Sequence, residues 1–262
     1  MSETDDLVVS ASWVAERLND PDVRVVDVRD AWEYDGIGHV PGAVNVPFDS
    51  FRTSDGESGM MPPRENWIDL LAAAGVTPET HLVAYDDTHG VFAARFLVTA
   101  LYHGHPIERL HLLDGDFSSW TRDHETASAS VSVERAEYDP EPPGETPFVG
   151  ADAVAAASES DAVVVDTRRP EEYAEGHIPG AVNLDWKDLV DEDTRGVKHP
   201  DELEVVLGEK GIVPGERVVL YCNTARRISH TFVVLRWLGF AGVQFYEGSL
   251  TEWRELGREV VS

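Results

Sequence analysis

The chain contains a second version of itself. "VVDVRDAWEYDGIGHVPGAVNVPF" begins at Val25, and "VVDTRRPEEYAEGHIPGAVNLDW" begins at Val164. Asp27, Arg29, Glu33 and Tyr34 pair with Asp166, Arg168, Glu172 and Tyr173. After one extra residue in the first copy, His39, Pro41, Gly42 and Asn45 pair with His177, Pro179, Gly180 and Asn183. Further on, "GVTPETHLVAYDD" from Gly75 answers "GIVPGERVVLYCN" from Gly211, and "LLDGDFSSW" from Leu112 answers "FYEGSLTEW" from Phe245. Order and spacing persist through each copy, so the fold must be two similar domains in tandem. The stretch "SASVSVERAEYDPEPPGETP" between them is rich in Pro, Glu and Ser and reads as a linker. The expected boundaries are 1–121 for the first domain, 122–147 for the linker and 148–262 for the second.

Within each copy, short β-branched runs alternate with helical patterns. "VRVVDVR", "AVVVDTR", "HLVAYD", "RVVLYC", "RLHLLD" and "VQFYE" are strand candidates. "VFAARFLVTALYH" and "RISHTFVVLRWLG" repeat apolar residues at helical spacing, and Gly239 offers a stop to the second. This alternation predicts the α/β class: two duplicated domains, each a parallel β-sheet flanked by helices on both faces. Ligands of such sheets bind beyond the carboxyl ends of the strands.

Composition narrows the partners. The formal charge of −28 argues against nucleic acid and against anionic membranes, which would repel such a surface. No apolar run reaches the ~20 residues of a membrane helix, and "MSETDDLVVS" lacks the basic and apolar regions of a signal peptide. A cytoplasmic protein is expected. Lys187, Lys198 and Lys210 are the only lysines; an acidic surface so poor in Lys suits a high-salt, halophilic cytoplasm, where self-repulsion is screened.

Cys222 is the single cysteine, so no intrachain disulfide can form. It ends the apolar run "RVVLY", and a helix is expected to start near Arg227. The intervening "CNTAR" must curl tightly, which turns successive amide N–H groups inward as an anion-binding nest. The helix N-terminus and the fixed charges of Arg226 and Arg227 add to it. All three favour thiolate over thiol and so a nucleophilic sulfur. The first copy reads "VAYDDTHGVFAARF", with Asp86 at the cysteine position and Gly90 and Val91 in place of the arginines. A carboxylate cannot do thiolate chemistry, so the first domain is expected to be inactive.

Taken together, Asp-x-Arg, Glu-Tyr, "GHIPGAVN", the "CNTARR" loop and "YEGSLTEW" resemble the tandem-domain rhodanese family of sulfurtransferases, of the thiosulfate or mercaptopyruvate type. The resemblance covers nearly the whole chain and implies rhodanese-like domains, the first inactive. It further implies that Cys222 takes a sulfane sulfur from a small sulfur-containing anion and holds it as a persulfide. The sulfur then passes to a thiophilic acceptor: cyanide, a thiol or a dithiol protein. Asn223, Thr224, Ala225, Arg226 and Arg227 would bind the donor and the persulfide, with Arg168 and Asp86 as pocket residues. No metal or other cofactor is implied. His39 and His177 are read as turn-fixing residues, Asp166, Arg168 and Glu172 as a buried structural ion-pair group that could also shape the pocket, and the aromatics of "SLTEW" and Trp237 as core or interdomain packing. Ser229 and His230 are candidates for hydrogen bonding behind the loop.

Two donors stay open. Mercaptopyruvate members typically read Cys-Gly-Ser-Gly-Val-Thr at the loop and carry carboxylate-binding arginines in a longer segment before the Gly-His-Ile. Here the loop is "CNTARR", Glu172 stands near one such arginine, and "EEYAEGHIPG" has no room for the longer segment. Two loop arginines suit a small dianion such as thiosulfate, although some thiosulfate enzymes also use an arginine where Glu172 stands. Thiosulfate is therefore the expected donor and 3-mercaptopyruvate the alternative. A Cys-x5-Arg phosphatase loop would need arginine at Ile228. A non-catalytic binding module would not need the cysteine or its arginines.

Overall fold

The computed structural model describes residues 7–53, 60–144 and 146–262. Of these, 7–53, 61–144 and 191–197 cluster as one unit, and 60, 146–190 and 198–262 as the other.

In the first unit the β-branched runs become parallel strands: β1 (Val8–Val9), β2 (Val23–Asp27), β3 (Val44–Asn45), β4 (His81–Tyr85) and β5 (Leu110–Leu113). Their order is β1-β5-β4-β2-β3. Val25 lies beside Val83, and Ala84 beside Leu112. The helices are α1 (Ala11–Ala15), α2 (Ala31–Gly36), α3 (Arg64–Ala73), α4 (Val91–Tyr102) and α5 (Phe117–Asp123). Because side chains alternate along a strand, β4 is apolar to both faces. Val83 and Tyr85 pack with Val14, Phe117 and Trp120, while Leu82 and Ala84 point the other way and are fully buried. Phe51, Trp67 and Phe96 form a further aromatic cluster, 5.3 to 6.2 Å between centroids.

The second unit repeats this plan with one strand fewer. It comprises α6 (Ala151–Ser158), β6 (Val163–Asp166), α7 (Pro170–Glu175), β7 (Val182–Asn183), α8 (Pro200–Gly208), β8 (Val218–Tyr221), α9 (Arg226–Trp237), β9 (Val243–Phe245) and α10 (Ser249–Glu255). The parallel order is β7-β6-β8-β9. Where the first unit has β1, the second has a single bridge from Phe148 to Phe245. Gly239, in the left-handed region at φ 85°, follows the end of α9.

The Pro-rich segment after α5 is bound along the first unit. Ala127 bridges His39, the Ala136 N–H donates to the Ala72 carbonyl, and Tyr138 is buried against His105. Residues 191–197, from the second half of the chain, also cluster with the first unit. There Arg195 donates through Nε to both oxygens of the buried Asp116, at 2.8 Å each. No helix among the described residues is long and apolar enough to cross a membrane.

Candidate active site

Both copies build the same frame at the carboxyl ends of β2 and β6. Arg168 grips Asp166 through Nε (2.9 and 3.0 Å) and Nη2 (2.6 Å) and donates to the Gly176 carbonyl at 2.8 Å. Arg29 makes the equivalent bonds to Asp27 and to the Gly38 carbonyl. Each pair is almost wholly buried, and such charges are tolerated inside only when paired and bonded in this way. The Tyr221 hydroxyl accepts from the Ile178 N–H at 3.0 Å and faces Asp166, fixing the end of β8. Burial pushes the Tyr221 phenol well above its ordinary range, and the Asp166 charge adds to that. His39 and His177 stand two residues before the Pro41-Gly42 and Pro179-Gly180 turns, in bridge positions of their own. Their rings stack on Tyr34 and Tyr173 at 3.8 and 3.7 Å, and their backbones bridge Ala127 and Val261.

Cys222 follows β8 directly and is 1% exposed. Its N–H donates to Ser249 Oγ at 3.1 Å, and its carbonyl accepts from the Leu250 N–H at 2.9 Å. Thr251 Oγ1 donates to the Asn223 carbonyl at 2.9 Å. The first turn of α10 therefore pins the loop, a contact beyond the packing expected of the "SLTEW" aromatic. Its tryptophan does pack, with Trp253 in the core. Ala225 is held at φ 63°, left-handed for a residue with a Cβ, and the helix begins one residue later at Arg226. Ser229 Oγ donates to the Ala225 carbonyl at 2.8 Å, and buried His230 meets Trp186 edge-on at 5.3 Å.

The first copy shows what this loop does to an anion. His89 stands at the position of Ala225 and is also left-handed, at φ 55°. Asp86, at the position of Cys222, accepts N–H bonds from Thr88 (2.7 Å), Gly90 (2.9 Å), Phe92 (2.7 Å) and Ala93 (3.0 Å). Burial pushes the Asp86 carboxyl up from its ordinary range, and these four bonds pull against that rise. Asp86 and Arg29 also line a cleft of about 210 Å³ in the first unit, together with Phe48 and Phe92.

The two loop arginines are not equivalent. Arg226 is exposed at the start of α9. Arg227 is half-buried and held by Glu172, through Nη1 at 2.6 Å and Nη2 at 3.0 Å. Glu172 also accepts from Asn223 Nδ2 at 3.1 Å and from Arg169 Nε at 2.9 Å. The Arg227 bond, outweighing the opposing effect of burial, holds the Glu172 carboxyl down at about 2. Burial works against the Arg227 charge, but the Glu172 bond and the nearby charges of Cys222, Glu172 and Asp185 outweigh it and raise its pKa. Arg168 reaches the loop with one arm, its Nη1 lying 3.4 Å from Asn223 Oδ1. Thr224 is half-buried within the loop.

Two contributions to the loop escaped sequence reasoning. Ser249 and Thr251 lie in a motif whose duplication was visible but whose contacts were not. Glu172 is legible as a pocket-shaping or ion-paired residue near an expected arginine, but its partner Arg227 lies 55 residues away.

Comparison with known proteins agrees with this architecture. The rhodanese-like domain family matches residues 10–123 and again 150–256. The chain is 32% identical to a thiosulfate sulfurtransferase of Pseudomonas aeruginosa, covering 94% of this chain and 93% of that one. It is 30% identical to the sulfur carrier protein TtuD of Thermus thermophilus, covering 96% and 94%. Among solved structures it is similar to SseA of Escherichia coli, described as a 3-mercaptopyruvate sulfotransferase. That match has a TM-score of 0.82 at 25% identity and covers 93% of this chain and 98% of that one. The chain belongs to the rhodanese family of sulfurtransferases and carries two rhodanese-like domains in tandem.

Proposed function

We propose that the chain moves a sulfane sulfur from thiosulfate to a thiophilic acceptor through a persulfide on Cys222. One observation carries the reading. In the first copy this loop wraps a buried carboxylate in four amide N–H bonds, and in the second copy the same place in the loop holds the only cysteine. A loop that stabilises a carboxylate through its backbone offers the same donors to a thiolate and to the terminal sulfur of a persulfide.

In the forward half-reaction the Cys222 thiolate attacks the outer sulfur of thiosulfate. A bond forms between Sγ and that sulfur, the S–S bond of thiosulfate breaks, and sulfite leaves with the electron pair. In the second half-reaction the acceptor's lone pair attacks the terminal sulfur, and the electron pair of the breaking S–S bond returns to Sγ as thiolate. Cyanide yields thiocyanate, and a thiol yields a new persulfide. No electrons enter or leave the cycle. The Asn223–Arg227 segment binds the donor, with Arg226 exposed at its entrance and Arg227 deeper. The first domain, with Asp86 in the nucleophile's place, carries no sulfur.

The likeness to SseA keeps 3-mercaptopyruvate as the alternative donor. Against it stand the "CNTARR" loop in place of Cys-Gly-Ser-Gly-Val-Thr and the short "EEYAEGHIPG" segment, which has no room for the carboxylate-binding insertion. Steady-state kinetics with cyanide as acceptor decide between them. Thiosulfate is expected to show the higher kcat/KM, and Cys222→Ser is expected to be inactive with both. A clear preference for 3-mercaptopyruvate reverses the donor assignment, and sulfur transfer by Cys222→Ser removes the mechanism.

A further inference from the structure

Glu172 and Glu33 occupy the same place in the duplicate, yet their surroundings differ. Glu33 closes the capping box of α2, its carboxylate accepting from the Asp30 N–H at 3.2 Å. The residue of the first copy that matches Arg227 is Val91, so that position offers Glu33 no guanidinium. Glu172 has a second employment. Both of its oxygens bond Arg227, and one of them also bonds the loop residue Asn223. Its side chain is 16% exposed, which leaves this ion pair little screened. Arg227 is in turn close enough to Cys222 for their charges to interact. The Arg227 charge thus comes already matched by a carboxylate, and Arg168 is neutralised in the same way by Asp166. The field at the thiol is accordingly weaker than two loop arginines imply.

We infer that Glu172 is the positioning and selectivity residue of the sulfur-loading site, a built-in counter-ion that competes with the anionic donor for Arg227. The inference rests on Cys222 being the reacting sulfur. Glu172 takes two of the five N–H groups of Arg227 and compensates its charge. An anionic donor must therefore use the N–H groups left over, against the field of the carboxylate, or displace it. Glu172 thereby raises the donor concentration needed, acting chiefly on binding.

The single cysteine permits a test that does not depend on sulfur transfer. Rates of Cys222 alkylation are measured with anionic iodoacetate and with neutral iodoacetamide, and their ratio reports the positive charge available beside the sulfur. In Glu172→Gln the ratio should rise about threefold to tenfold, the ordinary effect of one partly screened unit charge. Glu171→Gln, an equal charge change on the exposed neighbour, should leave it unchanged. In an Arg227→Met background, Glu172→Gln should have little further effect. Thiosulfate KM should fall by a similar factor in Glu172→Gln, with kcat held within roughly twofold.

A ratio that is unchanged or falls in Glu172→Gln overturns the inference, because Glu172 would then serve only to orient Arg227. An equal rise in Glu171→Gln overturns it too, since net charge alone would be responsible. If the ratio rises as expected but wild-type protein takes no sulfur from thiosulfate, the counter-ion role stands and the donor assignment fails.

Discussion

The hydroxyl of Ser249 lies 3.1 Å from the backbone nitrogen of Cys222 and accepts its proton, while donating its own to the Tyr246 carbonyl at 3.0 Å. Both residues are buried, and Ser249 is itself held at φ 52°. One side chain thus ties the first turn of α10 to the start of the cysteine loop. Ser249→Ala leaves a buried N–H without its acceptor, a loss of about 1 to 3 kcal/mol. For a protein of this size that corresponds to a fall in Tm of roughly 2 to 12 °C. Activity per folded molecule should fall as well, chiefly in kcat, because the amides behind the sulfur lose their fixed direction. Calorimetry alongside steady-state kinetics checks this; unchanged values for both would show that the bond is dispensable.

Asp86 makes the converse case in the first domain. Its two oxygens satisfy four backbone donors. Asp86→Asn turns one oxygen into a donor that must face N–H groups. The expected destabilisation is about 2 to 4 kcal/mol, read as a lower denaturant midpoint. Asp86→Ala should be at least as damaging. If Asp86→Asn is as stable as the parent, the amides do not hold the anion.

Acid should loosen the first unit through two histidines. Burial lowers His103 and His105 to about 4, whereas in the unfolded chain each titrates near ~6.5. Both are neutral in the fold, so their contribution is fully present above pH ~6.5 and is lost as the pH falls toward 4. At pH 5 the loss is about 2 kcal/mol for each. Glu172 has the same sign in a lower window: bonded to Arg227 and held at about 2, it loses its contribution as the pH falls from ~4.5 toward 2. Urea midpoints at pH 7.5 and 5.0 should differ accordingly, and His105→Gln should flatten part of the difference. A midpoint independent of pH between 7.5 and 5.0 contradicts this account.

The parts of the fold legible in the sequence are those with a repeated local signal. β2, β4, β6 and β8 are short, mainly apolar runs containing valine, and α4 and α9 carry a helical apolar spacing that survives the duplication. β1, β3 and β7 are two residues each, too short for any pattern; only their partners define them. The Pro-rich stretch has a linker's composition, yet Tyr138 and the Ala136 N–H bind it to the first unit, because a few well-placed contacts suffice to hold extended chain. At the site, the place of the cysteine after its strand, the tight curl and the aspartate at the matching place of the first copy could be read directly, since backbone geometry follows local spacing. The fate of Arg227 could not. Sequence supplies its charge, but its partner comes from α7, and that meeting is decided by packing.

The central claim is that Cys222 carries the transferred sulfur, and intact mass spectrometry tests it most directly. The protein is incubated with thiosulfate, freed of excess donor and weighed before and after cyanide is added. The predicted result is a gain of one sulfur atom per chain on the peptide containing Cys222, its disappearance on cyanide with release of one thiocyanate, and no gain in Cys222→Ser. A sulfur gained by Cys222→Ser, or none gained by wild type from either thiosulfate or 3-mercaptopyruvate, contradicts it.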